Sequence, residues 1–318
     1  MPADVESMAW AGEVPWHGLG TPVSNDLGPL AMMRRAGVDW GVKEIPSYIN
    51  LPDGPKQTGR MALVRDSDNA ILTMVGPNWR PVQNVTAFEF FHEFVMAGGM
   101  EMHTAGSLQG GKIVWALAKV KESFEVVKGD QVDSFLLFSN PHQYGMSIDI
   151  RFTPIRVVCS NTLAMSLGRE SANAVTLNHR TAFDPQAVKQ TMGIAGEKFA
   201  KYREVTEFLA GKRARPENLV EYYNKVFPHT GRSGKRIEVK TAADLSRNGQ
   251  AAMKHLESQS GAEYGAGTYW QALNSVTYLT DHVLGRSPDT RLASAWYGRN
   301  QARKIVAVRE AVRLAKAA

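Results

Sequence analysis

The alternation of apolar and polar positions divides the chain into a strand-rich first half and a helical second half. Arg60-Met61-Ala62-Leu63-Val64-Arg65 and Ala70-Ile71-Leu72-Thr73-Met74-Val75 flank Asp66-Ser67-Asp68-Asn69, four residues with strong turn chemistry, and predict a hairpin. Asn84 stands where an N-cap belongs, ahead of a helix over Val85 to about Ala97 whose Phe88, Phe91 and Phe94 or Val95 make an apolar stripe ended by Gly98-Gly99. Glu101 to Val120 predicts a second hairpin turning between Gly106 and Gly111, and strands are expected over Val132–Ser139 and Ser147–Phe152. Thr153 to Leu163 leads into a short helix capped by Ser160 or Asn161. Short links between β segments imply antiparallel pairing. From about Pro185 the period becomes helical, over roughly 185–210, 216–226, 241–258, 268–284 and 292–316.

The fold class these patterns predict is α+β: an antiparallel sheet core in the N-terminal half, followed by a mostly helical region. The expected domains are 1–183 and 184–318. The opening forty residues, with Trp10 and Pro15-Trp16-His17-Gly18-Leu19-Gly20-Thr21-Pro22, read as an irregular arm, except for a short helix from Leu27 to Gly37. Buried tryptophan brings large apolar area, so such an arm is a candidate clasp to a neighbouring domain or subunit.

Composition narrows the class. A chain of 318 residues with 43% hydrophobic and 21% charged residues needs no staple to bury a core. No apolar run is long enough to span a bilayer, and the first residues lack the basic start and apolar stretch of a secretion signal. With the single Cys159 there is no internal disulfide, and the host cytoplasm is the expected compartment.

Charge is uneven. Residues 1–196 hold 16 Lys+Arg against 19 Asp+Glu, whereas residues 197–318 hold 21 against 12. A positive field confined to one part of the chain favours a polyanion partner, although basic helical faces also serve solubility. Lys112, Lys119, Arg151 and Arg156 fall on or beside strands, near Trp115, Phe152 and Tyr144. Cations among aromatics on a sheet are what single-strand binders use, the cations tracking phosphates and the rings stacking bases. Against that, Trp115 shares its strand face with Ile113 and Leu117, which points to the core. The last helix adds Arg299, Arg303, Lys304, Arg309, Arg313 and Lys316, with Glu310 expected to face water.

Catalytic motifs are incomplete. Thr230-Gly231-Arg232-Ser233-Gly234-Lys235-Arg236 lacks the spacing and the Ser/Thr of a phosphate loop, and reads as an exposed basic loop instead. Cys159 ends a β-branched run, as a core thiol does, and the eight histidines show no ligand spacing. Asp281 and His282 are adjacent on a helix and point about 100° apart, which suits a structural network better than a shared site. No cofactor or metal is expected.

Six segments together resemble a known family. They are Trp16-His17-Gly18-Leu19-Gly20, Pro81-Val82-Gln83-Asn84, Thr104-Ala105-Gly106-Ser107-Leu108 with Gly110-Gly111-Lys112, Phe152 to Leu163, Trp270 to Thr277 with Asp281-His282, and Trp296-Tyr297-Gly298 with Lys304. The chain resembles the phage/plasmid-like family built on the domain of unknown function 932. That resemblance implies a mobile-element origin and no particular activity. The expected function is non-catalytic nucleic-acid binding, of single-stranded DNA in recombination or replication, by a homo-oligomer. The candidate contacts are Arg80, Lys112, Arg151, Arg156, Arg180, Lys235, Arg236, Arg299 and Arg303. Two alternatives stay open: a protein-binding factor, such as an inhibitor of host defence, using exposed Trp16 and Trp79, and an enzyme using Asp281-His282 or Cys159.

Overall fold

The structure is a computed structural model and describes residues 5–12, 19–96, 100–156, 161–162, 174–177, 195–231, 233–285 and 288–318. The fold is α+β, as the pattern predicts. The chain divides into two compact units. Unit 1 comprises residues 1–121, 135–151 and 174–194; unit 2 comprises 122–134, 152–173 and 195–318.

Unit 1 begins with β1 (Val5–Trp10), β2 (Thr21–Pro22) and α1 (Pro29–Arg35). Pro29 fits the first turn, where its missing N–H costs nothing, and Gly37 takes a φ of +66° just beyond the end. A three-stranded antiparallel sheet follows, of β3 (Val42–Leu51), β4 (Gly54–Arg65) and β5 (Ile71–Val75). The predicted hairpin is β4 and β5, and β3 is an addition. Next come α2 (Asn84–Met96), β6 (Met100–Leu108), β7 (Ile113–Glu125), β8 (Gln131–Pro141), β9 (Ile148–Arg156) and, beyond β10 (Asn161–Thr162), β11 (Ala174–Leu177). The order in unit 1 is β9-β8-β7-β6-β1-β2, with β11 also on β9.

Two features depart from the sequence reading. The N-terminal arm contributes β1, an inner strand between β6 and β2 and antiparallel to β6, rather than remaining irregular. That pairing demands a glycine: Met8 lies opposite Gly106, and a Cβ there would come within 2.5 Å of the Ser7 carbonyl oxygen. Asn84 is the first residue of α2, and its side chain turns into the interior instead of capping.

The central strands are covered on both faces. Ile113, Val114, Trp115, Ala116, Leu117 and Ala118 are all buried, as are Val132 to Pro141. Phe88, Phe90 and Phe91 of α2 are buried, and Phe91 packs edge-on to Phe138 with centroids 5.1 Å apart.

Unit 2 holds α3 (Ala195–Ala210), α4 (Pro216–Val226), a 3₁₀ turn (Ala242–Asp244), α5 (Arg247–Ser258), α6 (Tyr269–Tyr278), a π-helical turn (Leu279–Val283), α7 (Pro288–Tyr297) and α8 (Arg299–Ala317). The helix expected over 292–316 is broken by Gly298, and the short helix expected after Leu163 lies outside the described residues. The core is not helical alone. Phe124, Val126 and Val132, from the β7–β8 hairpin, pack with Tyr202, Tyr222, Tyr223, Trp270 and Leu273. The indole Nε1 of Trp270 donates to Asp130 Oδ2 at 2.7 Å.

Candidate nucleic-acid interface

The scaffold of the site is the buried helix α6 together with the π turn that extends it. Thr268 caps α6, and the helix widens into that turn at Leu279–Val283. A π turn leaves carbonyls off the regular ladder and often marks a functional position. Here the side chain of Asn300 supplies the missing donor, reaching the carbonyls of Thr280 at 2.8 Å and Leu284 at 3.2 Å. One turn along α8, Lys304 Nζ donates to Asp281 Oδ1 at 2.8 Å in the interior. Asn300 and Lys304 are four residues apart and share one face, so α8 is fastened twice to the same turn.

That fastening fixes the preceding residues, Arg299 and Arg303, on the adjoining face. Arg299 is exposed. Arg303 is half-buried: its Nη1 donates to Asn300 Oδ1 at 3.0 Å, and its guanidinium lies 5.4 Å from the centroid of Phe227. Burial, and secondarily the Arg299 cation, lower the pKa of Arg303 from its ordinary value. Among the described residues neither arginine has an acidic partner. The helix begins at Gly298 with no side-chain cap and no acid in its first turn, so its positive end adds to the two cations.

Phe227 opens a basic hairpin. Ile237 N–H donates to the His229 carbonyl at 2.9 Å, Thr230 bridges Arg236, and Gly231 N–H donates to the Lys235 carbonyl at 2.9 Å. Gly234 turns the tip with a φ of +76°. Lys235 and Arg236 are exposed there, without an ion pair among the described residues. The loop is anchored at its base, where Ser246 Oγ donates to the Phe227 carbonyl at 2.8 Å and His229 Nδ1 lies 2.6 Å from the Asp244 carbonyl.

Lys235, Arg236, Arg299 and Arg303 thus belong to the helical part of unit 2, which also takes in Arg156, with Arg303 seated on the residue from which the hairpin departs. The others fare differently. Arg151 is paired with Asp149 and mostly buried, so it offers no charge to a ligand. Arg80 is exposed in unit 1, 3.8 Å from Glu44, and Lys112 is half-buried in the β6–β7 turn. Arg156 lies on β9, and Arg180 lies outside the described residues. Trp115 belongs to the core, so the open cation–aromatic platform expected on β7 is absent: both faces of that strand are covered. Glu310 is buried rather than facing water and bonds Arg313 at 2.8 Å. Arg309 lies 3.4 Å from the same carboxylate, so the far half of α8 is largely neutralised. Trp79 is buried, against its expected role as an exposed anchor, and Trp16 and Cys159 lie outside the described residues. His282 stacks on Tyr278 with centroids 5.1 Å apart while Asp281 faces Lys304, so the adjacent pair diverges.

Sequence reasoning missed a second polar centre, in unit 1. Arg65 Nη1 donates to both oxygens of Glu6, at 2.8 and 2.9 Å, and its Nε and Nη2 grip Asp68 at 2.9 and 2.6 Å. The guanidinium lies 5.3 Å from the Trp40 centroid; Trp40 in turn packs on His142, whose Nε2 lies 2.9 Å from Asn84 Oδ1. Asn140 Nδ2 donates to the Val82 carbonyl at 2.7 Å. Gly111 takes a φ of +83°, which favours glycine in that turn, and a Cβ there would stand 2.8 Å from Arg65 Nη1. The signal was an arginine closing the apolar run Met61–Val64. Arg65, Glu6 and Asp68 satisfy one another, and the centre reads as an internal brace.

Among the described residues no cluster of three or more His, Cys, Asp or Glu could hold a metal ion, and no helix is long and apolar enough to cross a membrane. No curated protein and no solved structure matches the chain. The family model described as Domain of unknown function (DUF932) matches residues 71–313, a span that holds the Asn84, Gly106, Asp281 and Lys304 positions, and the chain therefore belongs to the DUF932 family.

Proposed function

We propose that this chain is a nucleic-acid-binding accessory protein of a phage or plasmid, holding single-stranded DNA by its phosphates in the host cytoplasm during recombination or replication. The observation that carries the reading is Arg303, held on Phe227 and Asn300 beside Arg299, two like charges with no carboxylate among the described residues to neutralise them. Holding two cations together has a cost that a polyanion repays, and each phosphate neutralised releases counterions. The hairpin that follows Phe227 adds Lys235 and Arg236, two further exposed cations of the same unit. Contact is to the backbone, so binding is tolerant of sequence. Base stacking on the sheet, which the strand pattern suggested, has no place in this reading because the central strands are covered. The work is non-catalytic: Asp281 is engaged by Lys304, and its neighbour His282 points elsewhere.

The test is anisotropy of a labelled single strand titrated with the protein at low and at moderate salt. Steeply salt-dependent binding is expected. The Arg299→Ala/Arg303→Ala variant should bind more weakly, with its log–log salt slope reduced by about 1.4, roughly 0.7 per lost phosphate contact. Absence of binding at low salt, or a double variant that binds like the parent, would overturn the proposal.

A further inference from the structure

The sheet β3-β4-β5 is three strands wide only at its base. β5 pairs with Met61 to Val64, and beyond Arg60 the ribbon of β3 and β4 continues alone, through Tyr48↔Gln57, Ile49↔Lys56, Asn50↔Pro55 and Leu51↔Gly54. From Tyr48 to Arg60 every residue is exposed except Gly54, which is intermediate. The bulge at the base is locked by side chains: Ser47 Oγ meets Thr58 Oγ1 and donates to the Arg60 carbonyl at 3.1 Å. A two-stranded ribbon with water on both faces is marginal by itself.

This ribbon is also unusually apolar for a projecting one. Tyr48 is 59%, Ile49 50% and Leu51 43% exposed, and Ile45 near the base is 44% exposed. Ile49 and Leu51 are two apart and share a face, with Lys56 opposite Ile49. Of the residues that blunt its edges, Pro46 lies below this segment, whereas Pro55 and Lys56 lie on its returning strand and leave the apolar face open. The charges are segregated: Asp53 stands at the tip, and Lys56 and Arg60 lie on the returning strand, none with an ion pair among the described residues.

We infer that the ribbon is a self-association arm, whose Ile49–Leu51 face packs on the same face of a second copy of this chain. The two ribbons run antiparallel about a two-fold axis. That arrangement sets the Asp53 carboxylate of each copy against the Lys56 and Arg60 strand of the other, whereas a parallel one would place like charges together. A nucleic-acid strand fits less well, because the tip it would follow is acidic. The inference is independent of the phosphate-binding reading, since the arm belongs to unit 1.

Sedimentation velocity of the full chain without DNA tests it. A dimer or higher even assembly is expected, falling to monomer in Ile49→Thr/Leu51→Thr, where threonine keeps strand propensity while removing the apolar contact. Asp53→Lys should also dissociate the assembly, and combining it with Lys56→Asp and Arg60→Asp should restore it. The charge swap keeps the inference open to refutation if the threonine variant misfolds. A parent that is monomeric at tens of micromolar overturns the inference. So does an assembly indifferent to both sets of changes, or a threonine variant that loses DNA binding while its assembly state is unchanged.

Discussion

Lys304 Nζ donates to Asp281 Oδ1 at 2.8 Å, with the two side chains 2% and 5% exposed. A buried pair of this kind punishes the loss of one partner far more than the loss of both. Lys304→Met leaves a carboxylate in the interior and should lower stability by about 3–5 kcal/mol, whereas Asp281→Leu/Lys304→Met should recover most of that loss. Urea unfolding followed by tryptophan fluorescence checks both. A double variant as unstable as the single one would mean that the ion pair itself, and not the stranded charge, holds α8 in place.

The cations should separate by partner. Arg303→Lys keeps the charge but gives up the planar stack on Phe227, so its affinity for a labelled strand should fall between parent and Arg303→Ala. Arg151→Ala should leave DNA binding unchanged and lower the thermal midpoint, since its removal strands the buried Asp149 carboxylate, whose pKa burial already raises. Titrations of the three variants at one salt concentration would rank them.

Gly106→Ala should detach β1. The added methyl meets the Ser7 carbonyl at 2.5 Å, a backbone atom that cannot rotate aside. Amide hydrogen exchange should show residues 5–10 losing protection while β7 and β8 keep theirs. Continued protection of β1 would mean that the two strands can slide apart.

Asp68 gives an acid limb to stability. The Arg65 guanidinium lowers its pKa from the ordinary 3.8 to about 2. The unfolded chain therefore takes up this proton at a higher pH than the folded one. The contribution is complete above about pH 4 and is lost as pH falls toward 2. Asp68→Asn should flatten the change in urea midpoint across that window, leaving the midpoint near neutrality lowered and less sensitive to acid.

The sequence disclosed what local period can carry. The β4–β5, β6–β7 and β8–β9 segments announce themselves through alternation between turn residues, and α2 through its apolar stripe. β3 escaped because most of it faces water on both sides, so no core imposes a period of two, and Pro46 interrupts it. β1 escaped because its partner strand is about a hundred positions away, as in Met8↔Gly106, and six residues beside Gly and Pro say nothing of that pairing. At the site, Arg299 and Arg303 were legible as cations on an amphipathic helix. That Lys304 beside them is buried was not, because burial of a lysine is decided by Asp281 on another helix. The same holds for Glu6 and Arg65, whose meeting depends on the register of two sheets.

The β7–β8 hairpin has a bearing on how the molecule can be cut. Phe124, Val126 and Val132 complete the core around the helices, and Asp130 receives the indole of Trp270, yet these residues precede the first described helix of that unit by more than sixty positions. A recombinant piece starting at Ala195 would carry the helices and lack their lid, presenting bare tyrosine and leucine faces to water. Any excision or graft of the basic portion must bring residues 122–134 along with it, so the unit that holds Lys235, Arg236, Arg299 and Arg303 is inherited only as separated stretches of one gene.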